Sequence, residues 1–415
     1  MKTFVVAIPF FDSEMSVGAY RLSSRSGQNL LGMLVDEMSL SDAVLSPGLD
    51  LVMSLGVEPF AGDSRLFIDI NEFHLLMRTP IVLGINPELL VCILPSQINT
   101  DSAVIEKIAE LKELGFCVAV DGVLPGSIQN PLFEHIDYMI IDISKFTVDE
   151  KFIATVKMLS ALKHVVLSEV NDMATFEALS GLKNTQYCGR FFNQPITEGV
   201  SKISPLKINA LTLLKRVNQE DFDLGDIADT IGQDPSLSIS LLRFINSIMP
   251  RKIESLRNAV AILGQKEVKR WATAAISIRL ADDRPNEVTR LSLIRARFAE
   301  NLAASFEMGV SSQSLFMMGL FSLLDVILER PMEQAVAEVA VDEHVKKALV
   351  EKSGEFYKVM QFIDAYEHAD WDKIAILMVN HNLNLDSVTN AFVDALVWYK
   401  ALLDAITEEE GEEYI

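Results

Sequence analysis

The chain has 415 residues, 49% of them hydrophobic and 23% charged, with 20 Gly and 14 Pro. At roughly 100–200 residues per domain this length requires two or three domains, and the composition excludes a mostly disordered, collagenous or disulfide-stapled chain. With 58 acidic against 36 basic residues the net charge is −22, which opposes binding to nucleic acid or an anionic membrane and otherwise reads as solubility.

Strand-like and helix-like stretches alternate over the first 200 residues. Thr3–Ile8, Leu66–Ile70, Leu89–Leu94, Phe116–Val120, Tyr138–Ile143 and His164–Ser168 are mostly short β-branched apolar runs, the pattern of strands buried on both faces of a parallel sheet. Between them, Ala103–Leu114, Glu150–Leu162 and Met173–Leu182 carry apolar residues at helical spacing, and Gly115 and Gly181 lie at the ends of the first and third. Repeated βα units predict a (β/α) barrel or a doubly wound sheet. After Ile203-Ser204-Pro205, which reads as a linker, strand patterns vanish. Leu206–Val217 predicts a helix, and Asp223 is placed to cap another over Asp223–Ile231. Asp234-Pro235 opens a third as a cap followed by proline at the first helical position. Its stripe is Leu237, Leu241, Leu242 and Ile245. Ser255–Leu263 ends at Gly264, Glu267–Leu280 follows, and helix continues to about residue 405. The last residues, EEEGEEYI, form an acidic tail. The expected division is 1–200, 201–405 and a tail over 406–415.

Mean hydropathy is +0.25, yet the longest apolar runs, Ile81–Pro95 and Leu315–Leu328, are broken by polar residues and fall short of the roughly 20 residues of a membrane span. The opening stretch Met1–Met15 is too short in apolar length for a secretory signal. The three cysteines, Cys92, Cys117 and Cys188, form no CxxC, which fits a reducing cytoplasm and small buried thiols.

The second half resembles an HDOD domain, a helical module related to HD-type metal phosphohydrolases. The resemblance rests on Asp234-Pro235-Ser236-Leu237-Ser238, on Leu241-Leu242-Arg243-Phe244-Ile245-Asn246-Ser247 and on Asn258-Ala259-Val260-Ala261-Ile262-Leu263-Gly264. The run Phe316–Asp325 and Ala365-Tyr366-Glu367 resemble HDOD proteins that carry an EAL-like domain in front. The first half is similar to such a domain. Phe4–Asp12 looks like its opening strand, Ala19-Tyr20-Arg21-Leu22 falls at its signature, Val120-Asp121-Gly122 at its acidic loop, and Tyr138–Asp142 at its Lys-bearing strand. Tyr187-Cys188-Gly189-Arg190-Phe191-Phe192 with Pro195 resembles its closing strand. The resemblance implies a TIM-like barrel followed by an all-helical domain, in a family whose active barrels hydrolyse cyclic di-GMP with two metal ions.

The same resemblance locates the expected ligands, and most are replaced. Arg21 stands for the signature Glu. Asp69 (or Asn71) stands for an Asn. Cys92 and Pro95 stand for the next acid and its companion. Asp121 survives, while Gly122 replaces the second acid of the loop and Ile140 the strand Lys. Ser168 and Asn171 replace two glutamates, and Cys188 replaces a Gln. Glu169, beside Ser168, is expected to point to the other strand face. Two-metal chemistry needs several converging carboxylates, so a phosphodiesterase is not expected, nor any metal or other cofactor. The segment resembling the His-Asp helix reads Gly319-Leu320-Phe321-Ser322-Leu323, without His or Asp at the pair. His344, His368 and His381 lack metal-ligand spacing and read as solvated helix residues, and His74 and His164 as satisfied strand or edge residues. No GxSxG, GxxxxGK[ST] or GxGxxG after a strand occurs, and Gly122–Gly126 reads as a plain loop. Asp234, Pro235, Arg243, Asn246, Ser247 and Gly264 are assigned structural roles.

These readings lead to a non-catalytic regulator that contacts other signalling proteins through its helical half, with no nucleic acid and no membrane span. The alternatives are a sensor that takes a nucleotide at the barrel mouth, and a weak cyclic di-GMP phosphodiesterase. The apolar run Phe316–Leu328 serves either as core or, in part, as a Met-rich docking surface.

Overall fold

The computed structural model describes residues 3–26, 47–78, 85–122, 131–197, 203–218, 224–249 and 252–407. The loop residues Val123–Gly126, the cap Asp223 and the acidic tail beyond Thr407 lie outside them, as does part of the run Ile81–Pro95. The chain divides into two compact units. The first joins Met1–Gln194 to Asp364–Thr389, and the second joins Pro195–Ile363 to Asn390–Ile415. The segment 364–389, which the sequence assigns to the helical half, therefore belongs to the first unit.

Eight strands close the first unit into a barrel in sequence order. They are β1 (Thr3–Phe11), β2 (Val17–Ser26), β3 (Arg65–Asp69), β4 (Leu90–Pro95), β5 (Cys117–Asp121), β6 (Tyr138–Asp142), β7 (His164–Ser168) and β8 (Thr185–Tyr187). β1 runs antiparallel to both neighbours, and every other pair is parallel. This resolves the choice between barrel and open sheet. Alternate residues point inward, so Phe10, Ala19, Phe67, Val91, Ile93, Ala119, Tyr138, Ile140 and Val166 form one buried cluster. Phe67 packs edge-on against both Phe10 and Tyr138, with ring centroids 5.0 Å apart in each pair. The barrel is filled along its axis, and only the ends of its strands are left to build a site. Helices Ser102–Glu113, Glu150–Ser160 and Met173–Leu179 follow the expected positions, started by the side chains of Asp101, Asp149 and Asp172, each accepting a backbone N–H in the first turn. Gly115 adopts φ +91° just beyond the first of them, as a helix-ending glycine does.

The second unit is helical. Ser204 caps the helix Pro205–Val217, so the apparent linker is partly a helix start. Asp234 caps Pro235–Ile248 by accepting the Leu237 N–H at 3.1 Å, and Leu237, Leu241, Phe244 and Ile245 are the buried stripe. Leu242, expected on that stripe, is only half-buried. Asn246 grips the backbone of Ile253 twice: Nδ2 donates to the carbonyl at 2.9 Å and Oδ1 accepts the N–H at 2.7 Å. Ser247 donates to the Phe244 carbonyl at 2.8 Å. Gly264 (φ 77°, ψ 162°) breaks the stretch Leu256–Leu280 into two helical segments. The run Phe316–Leu328 is core rather than docking surface, since nearly every residue in it is buried. Gly319 allows close helix packing, because a Cβ there would lie 2.4 Å from the Arg295 carbonyl oxygen. The apolar stretch Gly309–Leu328 is long enough to cross a membrane by length and composition, but it is 67% buried inside the protein and is split into short helices.

Candidate site at the barrel mouth

The middle of β2 and the C-terminal ends of β3 and β5 bring Arg21, Asp69 and Asp121 together. The Arg21 guanidinium donates to Asp69 at 2.6 Å and pairs with Asp121 at 2.8 Å. One planar cation with several donors thus spans two carboxylates. Withdrawal from water alone would lower the Arg21 pKa, but the carboxylates outweigh it and hold the guanidinium above its ordinary value. Withdrawal from water raises the Asp69 pKa, opposed by Arg21. About half of the Asp69 side chain (52%) stays open to solvent, and that water limits the rise. Asn71, the alternative to Asp69, is turned elsewhere: its side chain accepts the His74 N–H at 2.9 Å, in the first turn of the helix Glu72–Arg78.

Ile140 lies in the apolar cluster inside the barrel, and Cys188 packs against it. Burial pushes the Cys188 thiol up to about 12, with Arg21 opposing. Cys92 is different. It lies between Val91 and Ile93, both in the interior cluster, so strand alternation turns it to the outer face of the barrel. Ile93 and Pro95 are the residues of β4 that share the inward face with Arg21 and Asp121, and the alignment that put Cys92 at the site is one residue out of phase. Gly122 has φ +77°, and a Cβ there would meet Ser96 at 3.2 Å. A second acid at this position therefore meets both backbone strain and crowding.

Ser168 ends β7 half-buried, with its hydroxyl 3.4 Å from the Ile141 carbonyl. Asn171 is a loop clip. It donates to Glu169 at 3.1 Å, and its Oδ1 accepts the Arg190 N–H at 3.2 Å. The strand-alternation argument for Glu169 does not apply, because β7 stops at Ser168 and Glu169 is left-handed (φ 64°). Gly189 is demanded by a close approach, since its Cβ would fall 2.0 Å from the Val170 carbonyl oxygen. Sequence reasoning also passed over Asp142 as a site-end residue. It accepts the Ser144 N–H at 3.0 Å and pairs with Lys145 at 3.2 Å. The motif Asp-x-Ser in Asp142-Ile143-Ser144 was the available signal.

Comparisons with known proteins bear on the second part of the chain and on nearly its full length. Residues 203–355 match the HDOD domain family. The whole chain aligns with a protein named cyclic di-GMP phosphodiesterase CdgJ from Vibrio cholerae, 25% identical over 401 residues, covering 95% of this chain and 92% of the relative. It aligns equally with the uncharacterized protein YuxH of Bacillus subtilis, 26% identical over 419 residues, 98% of this chain and 100% of the relative. Among solved structures, an EAL domain protein of Listeria monocytogenes matches 46% of this chain and 88% of its own, with 17% identity and a TM-score of 0.37. The protein is thus a closed eight-stranded barrel followed by an HDOD domain. Its second part is similar to HDOD-domain proteins.

Proposed function

We propose that this chain is a non-catalytic regulator in cyclic di-GMP signalling, acting through protein contacts of its HDOD domain. The observation that carries the reading is the Arg21 guanidinium between Asp69 and Asp121. At an effective dielectric constant of about 20, a divalent ion roughly 4 Å from a unit charge gains or loses about 8 kcal/mol. One arginine therefore cancels about one of the two carboxylates, and the remainder holds a hard cation only weakly. Two-metal hydrolysis needs much more, because both ions must stabilise the attacking and leaving oxygens. Gly122, Ile140, Ser168 and Asn171 add no carboxylate to the mouth.

The reading is tested by incubating the purified full-length protein with cyclic di-GMP and Mg²⁺ or Mn²⁺. No turnover is expected. Metal-dependent hydrolysis that disappears in Asp121→Asn would establish the competing reading, a weak phosphodiesterase, which the name of the Vibrio cholerae relative favours. Tight metal-free binding without turnover would favour a sensor.

A further inference from the structure

Asp325 is a buried carboxylate that the chemistry of the barrel mouth does not use. It stands in the second unit, in the short helix Leu324–Leu328, and is 3% exposed. A carboxylate withdrawn this far from water needs partners. One of its oxygens accepts the N–H of Ile196 at 3.1 Å. Ile196 is the second residue of the second unit, where the chain has just left the first. The same short helix holds the chain again further on. Lys207 Nζ donates to the Ile327 carbonyl at 2.8 Å and pairs with Asp283 at 2.7 Å.

The two contacts differ in chemistry. Lys207 meets an opposite charge in Asp283, whereas Ile196 offers Asp325 only a neutral amide. Of the charged groups on the surrounding elements, Arg295 acts on Asp325 from the helix Asn286–Leu302 and donates to Ser322 at 3.0 Å. Lys207 turns to Asp283, Arg284 to Asp283 and Glu329, and Arg330 to Glu338. Glu333, on the helix Met332–Val336, is exposed. Burial outweighs the N–H groups of Ile196 and Val326 and the charge of Arg295, and it holds the Asp325 carboxyl above its usual range.

We propose that Asp325 is a positioning residue, a latch that ties the first residues of the second unit to the helix Leu324–Leu328. Opening the latch returns the carboxylate to water, so the closed form binds a proton more readily than the open one. Acid therefore closes the latch. Its hold is greatest below the ordinary carboxyl value of 3.8 and weakens as pH rises through the raised value. A protonated carboxyl still accepts the Ile196 N–H through its carbonyl oxygen.

The test uses the full-length chain. Hydrogen exchange of the Ile196 amide, followed by mass spectrometry of short peptides, is the readout, and the helix Pro235–Ile248 is the internal reference. Asp325→Ala is expected to speed exchange at Ile196 about ten-fold or more, through loss of one hydrogen bond to a charged group, and to leave the reference unchanged. Asp325→Asn keeps an acceptor without the charge, so at about pH 7.5 it should protect Ile196 at least as well as the parent does. Dividing the parent's rate by that of the Asn variant removes the pH dependence of exchange itself. This ratio is expected to fall toward one between about pH 7.5 and about pH 5.5. If Asp325→Ala does not fold, the ratio carries the test alone. Unchanged exchange at Ile196 in Asp325→Ala overturns the latch. Exchange that rises equally in the reference helix also overturns it, and makes Asp325 a general packing residue. An Asn variant less protective than the parent, or a ratio that stays flat or rises on acidification, overturns closure by acid.

Discussion

Arg21 is where residue chemistry decides the character of the barrel mouth. Its side chain is 23% exposed, against 52% for Asp69 and 32% for Asp121, so the bridges are worth more than surface pairs but less than buried ones. Arg21→Ala leaves two carboxylates facing each other and is expected to cost about 1–2 kcal/mol, read from urea denaturation. Added Mn²⁺ should recover part of that loss. A variant as stable as the parent and indifferent to Mn²⁺ would mean the bridges contribute nothing. The thiols of Cys92, which is buried, and Cys188, which is half-buried, give a second residue-scale expectation. Burial pushes both Cys92 and Cys188 up to about 12 from an ordinary value of 9.0. The folded state therefore holds protons that the unfolded chain releases above pH 9. The stability this contributes is fully present below pH 9 and declines by about 1.4 kcal/mol per pH unit per thiol as pH rises toward 12. At pH 8 iodoacetamide should modify Cys92 only after denaturation, and rapid native labelling there would contradict its burial. The sequence shows an arginine, Arg21, where the family resemblance leads one to expect an acid, because one residue type suffices for that. It did not reveal the partner of Arg21, which depends on three strands meeting, nor the outward face of Cys92, because a buried strand apolar on both sides carries no phase.

At the scale of elements, the helices of the second unit were legible because their caps are local chemistry. Asp234 caps its helix and also pairs with Arg279, so Asp234→Ala should cost about 0.5–2 kcal/mol. Leu241 is 0% exposed, and Leu241→Ala should cost about 2–5 kcal/mol by opening a cavity. Thermal melting of the two variants checks the order, and a Leu241 variant with an unchanged melting point would mean the helix phase is wrong. Gly264 makes a cleaner probe. Nothing lies within 4 Å of a Cβ built there, so Gly264→Ala isolates the backbone strain of its φ and ψ, about 1–3 kcal/mol. The strands were less legible. β2, VGAYRLSSRS, is too polar to stand out, since its last four residues, Ser23–Ser26, run beyond the stretch that pairs with β3 in the barrel wall. β8 is only three residues long, too short for any period to appear.

For the whole molecule, the path of the chain matters more than the short linker that the sequence suggests. The chain passes between its two units after Gln194, after Ile363 and after Thr389. The first unit is consequently built from two separate stretches, held by Tyr366 and Trp371 against Phe4 and Val5. No reading of 1–200 by itself finds this, because the residues that cover β1 lie more than 350 positions downstream, as the 361-residue separation of Val5 and Tyr366 records. It follows that a single cut between the units does not yield two self-sufficient halves. With a specific protease site inserted between Thr197 and Ile203, the cleaved protein is expected to elute as one species under native conditions. Its two fragments should separate only in denaturant, because Asp364–Thr389 stays seated in the first unit while its chain continues into the second. Tyr366→Ala should weaken this association, since burying an aromatic ring of this size supplies a large share of the contact. Two fragments that part on a sizing column at neutral pH, each with its own cooperative melt, would show instead that residues 1–194 fold without the returning segment.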